Sequence, residues 1–330
     1  MLSTKDQVIY QLRQTHGFIS GEEISRSLGV SRAAVNTAVK ALRSDGYEIE
    51  SITNKGYRLV KGEEKLLLGE MLSWLDPVRA ERVTVLSAVD STNTYLKSAA
   101  ANGTAKPGDC VIADMQTGGK GRFGRRFESE KGLGIYCSYL LEVGDLSPAA
   151  VSEITAWGAV AVREAIQEVC GISCGIKWVN DLVVDRKKVC GILTELSVEG
   201  ESGRIQSAVM GIGINVNHDL QDFPPALRGM AGSLKLAAGK PFSRARLCAA
   251  LIDRLDALCR DFPARREEYH AAYRAHTVLL GQTVTLLRGG VERVGKAIDI
   301  DPHFGLVVQY PDGVTETVTG GEVSVKGFYG

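Results

Sequence analysis

A nine-residue segment, residues 118–126, combines the residue types that bind anions. It interleaves glycines with cations in the order Gly118, Gly119, Lys120, Gly121, Arg122, Phe123, Gly124, Arg125 and Arg126. Glycine lets the backbone approach a ligand and adopt positive φ, so successive N–H groups can point at one anion. The cationic side chains add charge that pairs with phosphate or carboxylate oxygens. The segment therefore predicts a site for a nucleotide phosphate, without indicating which nucleotide.

The spacing of Gly119, Gly121 and Gly124 also matches the dinucleotide-binding fingerprint, but the context does not. That fingerprint requires a helix directly after the glycines and an acidic residue about 20 positions later. Here a polar stretch leads into the strand-like run 134–143. A P-loop is disfavoured too, because Lys120 is followed by glycine rather than Ser or Thr. A mobile surface turn is the simpler alternative, but it leaves four neighbouring cations without a purpose.

Four further segments in the same region of the chain are unusual in composition. They are Asp-Ser-Thr-Asn at 90–93, Lys-Trp-Val-Asn-Asp at 177–181, Lys-Val-Cys-Gly-Ile-Leu at 188–193 and Gly-Ile-Gly-Ile-Asn-Val at 211–216. Taken singly, Asp90 or Ser91 needs only to cap a helix that runs from Thr94. Lys188 alone is explained as a solvated hairpin residue. The glycines of the last segment leave room for a bound group beside the backbone.

Residues 1–62 have the pattern of three helices followed by a hairpin. Apolar residues recur at helical spacing in 7–14 and 32–44, with a second helix between them that begins after Ser20. Two alternating runs around residues 53–55 predict the hairpin. This order is typical of a winged helix-turn-helix.

The third helix of such a domain would enter the major groove of DNA. The residues available for contact there and on the wing are Ser31, Arg32, Asn36, Thr37, Lys40 and Lys55. Residues 1–62 carry nine Lys and Arg against six Asp and Glu, a modest basic footprint. A helical interaction module that never touches DNA is the alternative, but turn spacing and wing agree in favouring DNA binding.

The remaining chain predicts two further domains, at 66–272 and 277–330. The first carries strand-like runs at 83–89, 109–115, 134–143, 181–185, 188–198 and 205–216, and apolar-faced helices at 149–170 and 243–262. Turn residues at 185–187 and 200–203 indicate hairpins, which favour a mixed or antiparallel α+β sheet over a doubly wound one. The last region alternates five short strands with turns, as in a small SH3-like β-barrel.

Composition limits the class of protein. The 330 residues include 39 Lys and Arg and 39 Asp and Glu, so any basic surface must be local. No apolar run approaches the roughly 20 residues of a membrane span. The N-terminus lacks a signal-peptide pattern, and the seven scattered cysteines suit neither a disulfide framework nor a zinc site. We therefore expect a cytoplasmic protein with no membrane contact and reduced thiols.

Taken together, five of these motifs resemble those of the biotin protein ligases. They lie at 90–93, 119–125, 177–181, 188–193 and 211–215, in the order and spacing of that family. With the N-terminal winged helix, the chain resembles the bifunctional type that is both ligase and biotin operon repressor. The resemblance covers essentially the whole chain. It implies an α+β multidomain fold with a central catalytic domain of the biotin/lipoate ligase type.

The resemblance also implies an ATP-dependent reaction in two steps, with Mg²⁺ as the metal cofactor. The carboxylate of biotin attacks the α-phosphate of ATP, which gives biotinyl-5′-AMP and pyrophosphate. The ε-amine of a lysine on biotin carboxyl carrier protein then attacks the mixed anhydride. Repression implies binding to the operator DNA of biotin genes by a homodimer that forms when biotinyl-AMP is bound. We expect residues 118–126 and 224–232 to be mobile when no ligand is bound.

By resemblance, Lys188, Arg122 and Asp181 carry the chemistry. Lys188 would stabilise the transferring oxygens, and Asp181 would bind Mg²⁺ or orient the acceptor lysine. The residues expected to contact biotin are Ser91, Thr92, Asn93, Gln116, Gly119, Lys120, Arg122, Lys188, Gly191 and Gly211. Those expected to contact ATP or the adenylate are Gly119, Lys120, Gly121, Arg122, Arg125, Phe127, Asn180, Lys188 and Asn215.

The chain departs from the family pattern at three positions. Lys120 stands where arginine is frequent, which keeps the charge but loses the bidentate fork. Phe127 replaces a common tryptophan, so adenine stacking should weaken but persist, and Val179 replaces a frequent proline. Two alternatives are a ligand-sensing transcription regulator without ligase activity and a lipoate-type acyl ligase. Lys188 and Arg122 argue against the first, and the loop and winged helix argue against the second.

Overall fold

The computed structural model of the protein describes residues 2–62, 65–142, 150–198, 205–288, 291–320 and 322–324. The chain forms two compact units. One comprises Met1–Val85 with Ser243–Ala250, and the other comprises Leu86–Phe242 with Leu251–Gly330. Within the described ranges, no helix has both the length and the apolar character needed to cross a membrane. All seven cysteines lie in these ranges and are free thiols.

The smaller unit contains the winged helix-turn-helix that the sequence predicts. Its elements are α1 Thr4–Gln14, α2 Gly21–Leu28, α3 Arg32–Ser44, β1 Glu48–Ile52 and β2 Gly56–Lys61. Each helix starts at a serine N-cap whose hydroxyl accepts a backbone N–H three residues later, at Ser3, Ser20 and Ser31. Helix α2 stops at Gly29, which adopts the left-handed conformation at φ 64°. Strands β1 and β2 pair as the antiparallel wing.

A short helix after the wing, α4 Leu68–Met71, is fixed to α1 by a buried ion pair. Arg13 donates from Nε and Nη2 to the two carboxylate oxygens of Glu70, both at 2.9 Å, and Glu70 is fully buried. The carboxylate of Asp6 accepts the backbone N–H of Gly69 at 3.1 Å. The backbones touch so closely that a Cβ on Gly69 would lie 2.0 Å from the carbonyl oxygen of Asp6.

The central sheet has seven strands and confirms the prediction of a mixed α+β domain. The strands are β3 Val83–Leu86, β4 Cys110–Ala113, β5 Gly134–Leu141, β6 Gly175–Lys177, β7 Asp181–Val184, β8 Lys187–Val198 and β9 Ile205–Asn215. Their order is β3-β4-β5-β9-β8-β7-β6, and the pairings from β4 through β6 are antiparallel. The helices are α5 Thr92–Ala101, α6 Ala150–Cys170, α7 Leu234–Ala238, α8 Arg244–Asp261 and α9 Arg266–His276.

The structure differs from the sequence prediction in a few elements. Helix α5 begins at Thr92 rather than Thr94, because Ser91 is its N-cap. Helix α9 was not predicted, since its sequence is largely charged and Tyr273 is its one buried residue. Strand β6 has three residues, too few for an alternating pattern. The predicted turn at 200–203 lies outside the described residues, as do residues 143 and 149, the end and start of two predicted elements.

The C-terminal region contains the five predicted strands. They are β10 Thr283–Arg288, β11 Val291–Ile300, β12 Leu306–Gln309, β13 Thr315–Val318 and β14 Glu322–Ser324, in the antiparallel order β13-β12-β11-β10-β14. Over the described residues, the edge strands β13 and β14 do not pair with each other, so the sheet is open rather than closed as a barrel. Trp178, between β6 and β7, donates from Nε1 to the carbonyl of Phe304 before β12 at 2.8 Å.

Candidate functional site

A cavity of about 620 Å³ lies over strands β8 and β9 in the larger unit. It collects most of the residues that the sequence singled out. These are Ser91, Thr92, Asn93, Gln116, Lys120, Gly121, Arg122, Arg125, Phe127, Asn180, Asp181, Lys188, Gly191, Gly211 and Asn215. Ligand sites usually have volumes of about 300–1,000 Å³, so this pocket has room for more than a single small group.

Gly119 does not line the pocket itself but lies next to Gln116 and Phe127, which do. It is buried, and a Cβ at this position would lie 2.3 Å from the carbonyl oxygen of Phe127 and 3.1 Å from Nε2 of Gln116. Its role in the structure is to let the loop backbone pass close to these two groups.

Two glycines of β9 let other side chains reach the sheet. A Cβ on Gly211 would lie 2.3 Å from Oδ1 of Asn93, and one on Gly213 would lie 2.6 Å from the ring of Phe127. Gly191 pairs with Gly213 across the β8–β9 ladder. The absence of side chains at these positions is therefore what brings Asn93 and Phe127 against the strand.

Polar side chains that are buried or half-buried form a hydrogen-bonded set at the pocket, which we call the pocket floor. It consists of Thr92, Asn93, Gln116, Ser138 and Glu195. The Thr92 backbone N–H donates to Oε1 of Gln116 at 2.8 Å. The Ser138 oxygen lies 2.7 Å from Oγ1 of Thr92 and 2.6 Å from Oδ1 of Asn93. Asn93 in turn donates from Nδ2 to Oε2 of Glu195 at 2.8 Å.

Sequence reasoning missed Ser138 and Glu195. The available signal was a polar residue in a buried strand, since all eight residues of β5 are buried and Ser138 is polar among apolar neighbours. It also missed Val323, which lines the cavity from β14 in the C-terminal sheet. These residues come from distant parts of the chain, so no local spacing connects them with the motifs.

Lys188 and Asp181 form an ion pair in the pocket, with Nζ 2.7 Å from Oδ1. They lie on adjacent strands, β8 and β7. The backbone of Lys188 is bound to the 224–232 stretch: its N–H donates to the carbonyl of Met230 at 2.8 Å, and its carbonyl accepts the N–H of Gly232 at 2.9 Å. Asn215 supports the same junction by donating from Nδ2 to the Gly232 carbonyl at 3.0 Å.

Residues 118–126, which we call the rim loop, close on themselves. The N–H of Gly121 donates to the Arg125 carbonyl at 2.7 Å, and the N–H of Phe127 donates to the Gly119 carbonyl at 3.0 Å. These two amides therefore do not point at an anion. Arg126 also serves the loop itself, by donating from Nη2 to the carbonyl of Thr117 at 2.9 Å.

Arg122 is a rim cation that a side chain outside the loop holds in place. Its Nη1 donates to Oδ1 of Asn180 at 2.9 Å, and Nδ2 of Asn180 donates to the Ile192 carbonyl at 2.8 Å. The guanidinium carbon also lies 5.0 Å from the ring centroid of Phe123. Phe123 has a left-handed backbone at φ 57° and is 63% exposed, so it adds an apolar surface to the rim that the sequence did not reveal.

The residues expected to contact DNA lie together in the smaller unit. Ser31, Arg32, Asn36, Thr37 and Lys40 are exposed along the start of α3, and Lys55 is exposed at the tip of the wing. The Ser31 hydroxyl caps α3 by accepting the N–H of Ala34 at 3.1 Å. The opposite side of α3 is buried in the core of the domain, so these residues are free to meet a partner.

Sequence comparison relates all three regions of the chain to one group of proteins. Residues 85–215 match the biotin/lipoate A/B protein ligase family, residues 4–58 match an HTH domain, and residues 279–326 match the biotin protein ligase C-terminal domain. The chain is 36% identical to the bifunctional ligase/repressor BirA of Bacillus subtilis, covering 90% of this chain and 91% of that protein. It is 31% identical to BirA of Escherichia coli, covering 94% and 93%.

The fold comparison agrees. The biotin protein ligase of Aquifex aeolicus, solved in complex with biotin and ATP, superposes with a TM-score of 0.64 at 28% identity, covering 74% of this chain and 98% of that chain. The chain therefore belongs to the biotin protein ligase family, among the bifunctional ligase/repressors.

Proposed function

We propose that this protein is an ATP-dependent biotin protein ligase that forms biotinyl-5′-AMP and transfers biotin to a lysine of biotin carboxyl carrier protein. The observation that carries the proposal is the position of Lys188, in one cavity with both the buried polar floor and the cationic rim loop. A carboxylate and a triphosphate both need positive charge, whereas a ureido ring needs neutral hydrogen-bonding groups.

The floor holds the ureido ring in this proposal, and the rim holds the phosphates. The biotin-binding residues are Ser91, Thr92, Asn93, Gln116, Gly119, Lys120, Arg122, Lys188, Gly191 and Gly211. The nucleotide-binding residues are Gly119, Lys120, Gly121, Arg122, Arg125, Phe127, Asn180, Lys188 and Asn215. Phe127, held edge-to-face against Tyr136 with ring centroids 6.3 Å apart, offers its ring to adenine.

Lys188 and Arg122 act on the first step by neutralising charge that develops at phosphorus. A carboxylate oxygen of biotin forms a bond to the α-phosphorus of ATP, and the bond from that phosphorus to the pyrophosphate oxygen breaks. In the second step the acceptor lysine amine forms a bond to the biotinyl carbonyl carbon, AMP leaves, and the amine loses a proton. Asp181 lies beside Lys188, in a position to orient the incoming amine or accept that proton.

Mg²⁺ would be held by Asp181 together with phosphate oxygens of ATP. Among the described residues, no group of three or more His, Cys, Asp or Glu is arranged to hold a metal ion. A single carboxylate suits Mg²⁺, which is usually bound through one or two carboxylates and substrate phosphates. The ion would supply charge neutralisation on the triphosphate when bound.

We further propose that the protein represses biotin genes as a homodimer that binds operator DNA when biotinyl-AMP is present. The exposed residues of α3 and Lys55 of the wing support this function. The domain boundaries 1–62, 66–272 and 277–330, the mobility of residues 118–126 and 224–232, and a cytoplasmic location belong to the same proposal.

The ligase proposal is tested by incubating the full-length protein with biotin, ATP, Mg²⁺ and a biotin carboxyl carrier domain. We expect the mass of one biotinyl group on the carrier lysine. Lipoate in place of biotin serves as a second arm, and modification by lipoate alone would indicate the lipoate-type ligase. No mass shift with either acid, together with retained biotin binding, would leave a ligand sensor.

The repressor proposal is tested by footprinting DNA upstream of biotin genes with and without biotin and ATP. We expect protection only when both are present, and its loss in Arg32→Ala, with ligase activity unchanged. Absence of protection at any biotin concentration would leave the enzyme without a regulatory role.

A further inference from the structure

Four side chains of the pocket floor form one continuous hydrogen-bonded chain. It runs from Glu195 through Asn93 and Ser138 to Thr92, with successive contacts of 2.8, 2.6 and 2.7 Å. Thr92 and Asn93 line the cavity, whereas Ser138 is fully buried. The position of each hydrogen in this chain follows from which atoms are able to donate.

Glu195 fixes the orientation of the Asn93 amide. The Asn93 Nδ2 lies 2.8 Å from the Glu195 carboxylate and 3.3 Å from the Leu193 carbonyl, and both partners only accept. The oxygen Oδ1 of Asn93 must therefore face Ser138. Burial alone would raise the pKa of Glu195, but the hydrogen bond from Asn93 and the charge of Lys97, 3.3 Å away, hold that pKa below its usual value. Glu195 is therefore a carboxylate at neutral pH, unable to donate.

The same reasoning fixes the hydroxyl hydrogens. Oδ1 of Asn93 accepts only, so the one hydroxyl hydrogen of Ser138 points to it. The 2.7 Å contact between Ser138 and Thr92 then requires the Thr92 hydroxyl to donate. Thr92 has no second hydrogen for Oε1 of Gln116 at 3.1 Å, which already accepts the Thr92 backbone N–H. Towards the cavity, the Thr92 oxygen presents lone pairs alone.

We propose that Glu195, acting through Asn93 and Ser138, makes Thr92 an obligate hydrogen-bond acceptor, so that the pocket selects a ligand that donates an N–H at this point. Glu195 and Ser138 are positioning residues in this scheme and do not touch the ligand. The inference rests on the proposed function, since the ring N–H of the ureido group is the donor concerned. A ligand with an oxygen there places two acceptors face to face, which is penalised in a buried site.

The first experiment compares biotin with its cyclic carbamate analogues, in which one ring N–H is replaced by oxygen. Both regioisomers are titrated calorimetrically into the full-length protein. In the wild type we expect one analogue to bind at least about 100-fold more weakly than biotin. In Ser138→Ala the Thr92 hydrogen is released, and it can turn either to Oε1 of Gln116, 3.1 Å away, or to the ring oxygen of the analogue. That analogue should then bind about fivefold more tightly, while biotin changes by less than about threefold.

The direction of the change distinguishes this proposal from simple support of the fold. If Ser138 only maintains packing, its loss weakens biotin and the analogue by the same factor, and that result would overturn the proposal. Glu168→Gln is the matched control, because this carboxylate is bound to Arg254 on the surface, away from the floor. It should leave the preference for biotin unchanged.

An exchange of charge between positions 93 and 195 tests the end of the hydrogen-bonded series that is farthest from Thr92. Asn93→Asp sets two carboxylates against each other, and we expect biotin affinity to fall about tenfold or more. Adding Glu195→Gln provides an amide that donates to the new carboxylate at position 93, and that carboxylate still accepts from Ser138. The biotin affinity of the double variant should therefore return to within about threefold of the wild-type value. No rescue would contradict the assigned polarity. A wild-type protein that binds no biotin would instead refute the proposed function, and this is measured first.

Discussion

The pocket floor and the rim loop are both polar, yet they are built in opposite ways. In the floor, Thr92, Asn93 and Ser138 are almost fully buried, and their side chains bond to one another. In the rim, Lys120 and Arg125 are exposed side chains on a glycine-rich loop. One end of the site is thus organised before a ligand arrives. The other end carries exposed charge on a loop, where Arg122 is held by Asn180 and Arg126 by the carbonyl of Thr117.

This difference has an energetic basis. A buried network is strong because its surroundings have a low dielectric constant, and the loss of any member leaves another group without its partner. Exposed cations interact weakly with anions until a ligand excludes water between them. We therefore expect substitutions in the floor to change which acid is bound. Substitutions in the rim should change how well ATP is bound and used.

The largest effect is expected at Lys188, which lines the same cavity as residues of the floor and of the rim. Lys188→Met should lower the rate of biotinyl-AMP formation by about 10²- to 10³-fold, because the proposed mechanism assigns this cation to the transferring oxygens. The measurement is pyrophosphate release at saturating biotin and ATP. Lys187→Met is the matched control, since the adjacent ammonium donates instead to the Gly229 carbonyl. An equal loss in both variants would contradict the assignment.

A smaller effect is expected from two substitutions on strand β9, one of which should change the KM for biotin and the other the KM for ATP. Gly211→Ala drives a methyl group into Asn93 and should raise the KM for biotin about tenfold or more, with little change in the KM for ATP. Gly213→Ala drives a methyl group into the ring of Phe127. It should raise the KM for ATP, with little change in the KM for biotin. Steady-state kinetics with each substrate varied in turn gives both values. If both variants raise the same KM, the biotin site at Asn93 and the nucleotide site at Phe127 are not separate.

The smallest effect concerns pH. Because the folded-state pKa of Glu195 is lowered, its carboxylate form persists as the pH falls below the usual range for glutamate. The stabilisation it provides is present at higher pH and is lost only as the pH falls through that lowered pKa. The preference for biotin over the carbamate analogue should therefore be constant from pH 8 to about 5. A decline over that interval would show that the hydrogen-bonded floor takes up a proton at a higher pH than the lowered pKa of Glu195 predicts.

The sequence predicted the winged helix well because its signals are local. Serine caps, a helix-ending glycine and two alternating strands specify it within residues 1–62. The motifs that converge on the cavity were also visible, but their bonding was not. Ser138 approaches Asn93 from 45 positions away in the sequence, and Glu195 does so from 102. Pairings over such separations depend on strand register, which a single sequence does not specify.

The rim loop illustrates the same limit. Its glycines suggested a cradle of backbone N–H groups, but the amide of Gly121 bonds to the loop's own carbonyl at Arg125. Composition showed that the loop carries positive charge. It did not show that Asn180 holds Arg122 in place or that Phe123 stands exposed beside it.

The ion pair between Arg13 and Glu70 determines how much of the chain a DNA-binding fragment should include. Glu70 is fully buried and bound to Arg13 of α1. The segment that follows the wing therefore packs on the first helix, and the folded part of this region continues beyond Lys61. A fragment that ends at residue 62 would lack Glu70 and so lose this contact with Arg13. A DNA-binding fragment prepared from this protein should accordingly extend through residue 75.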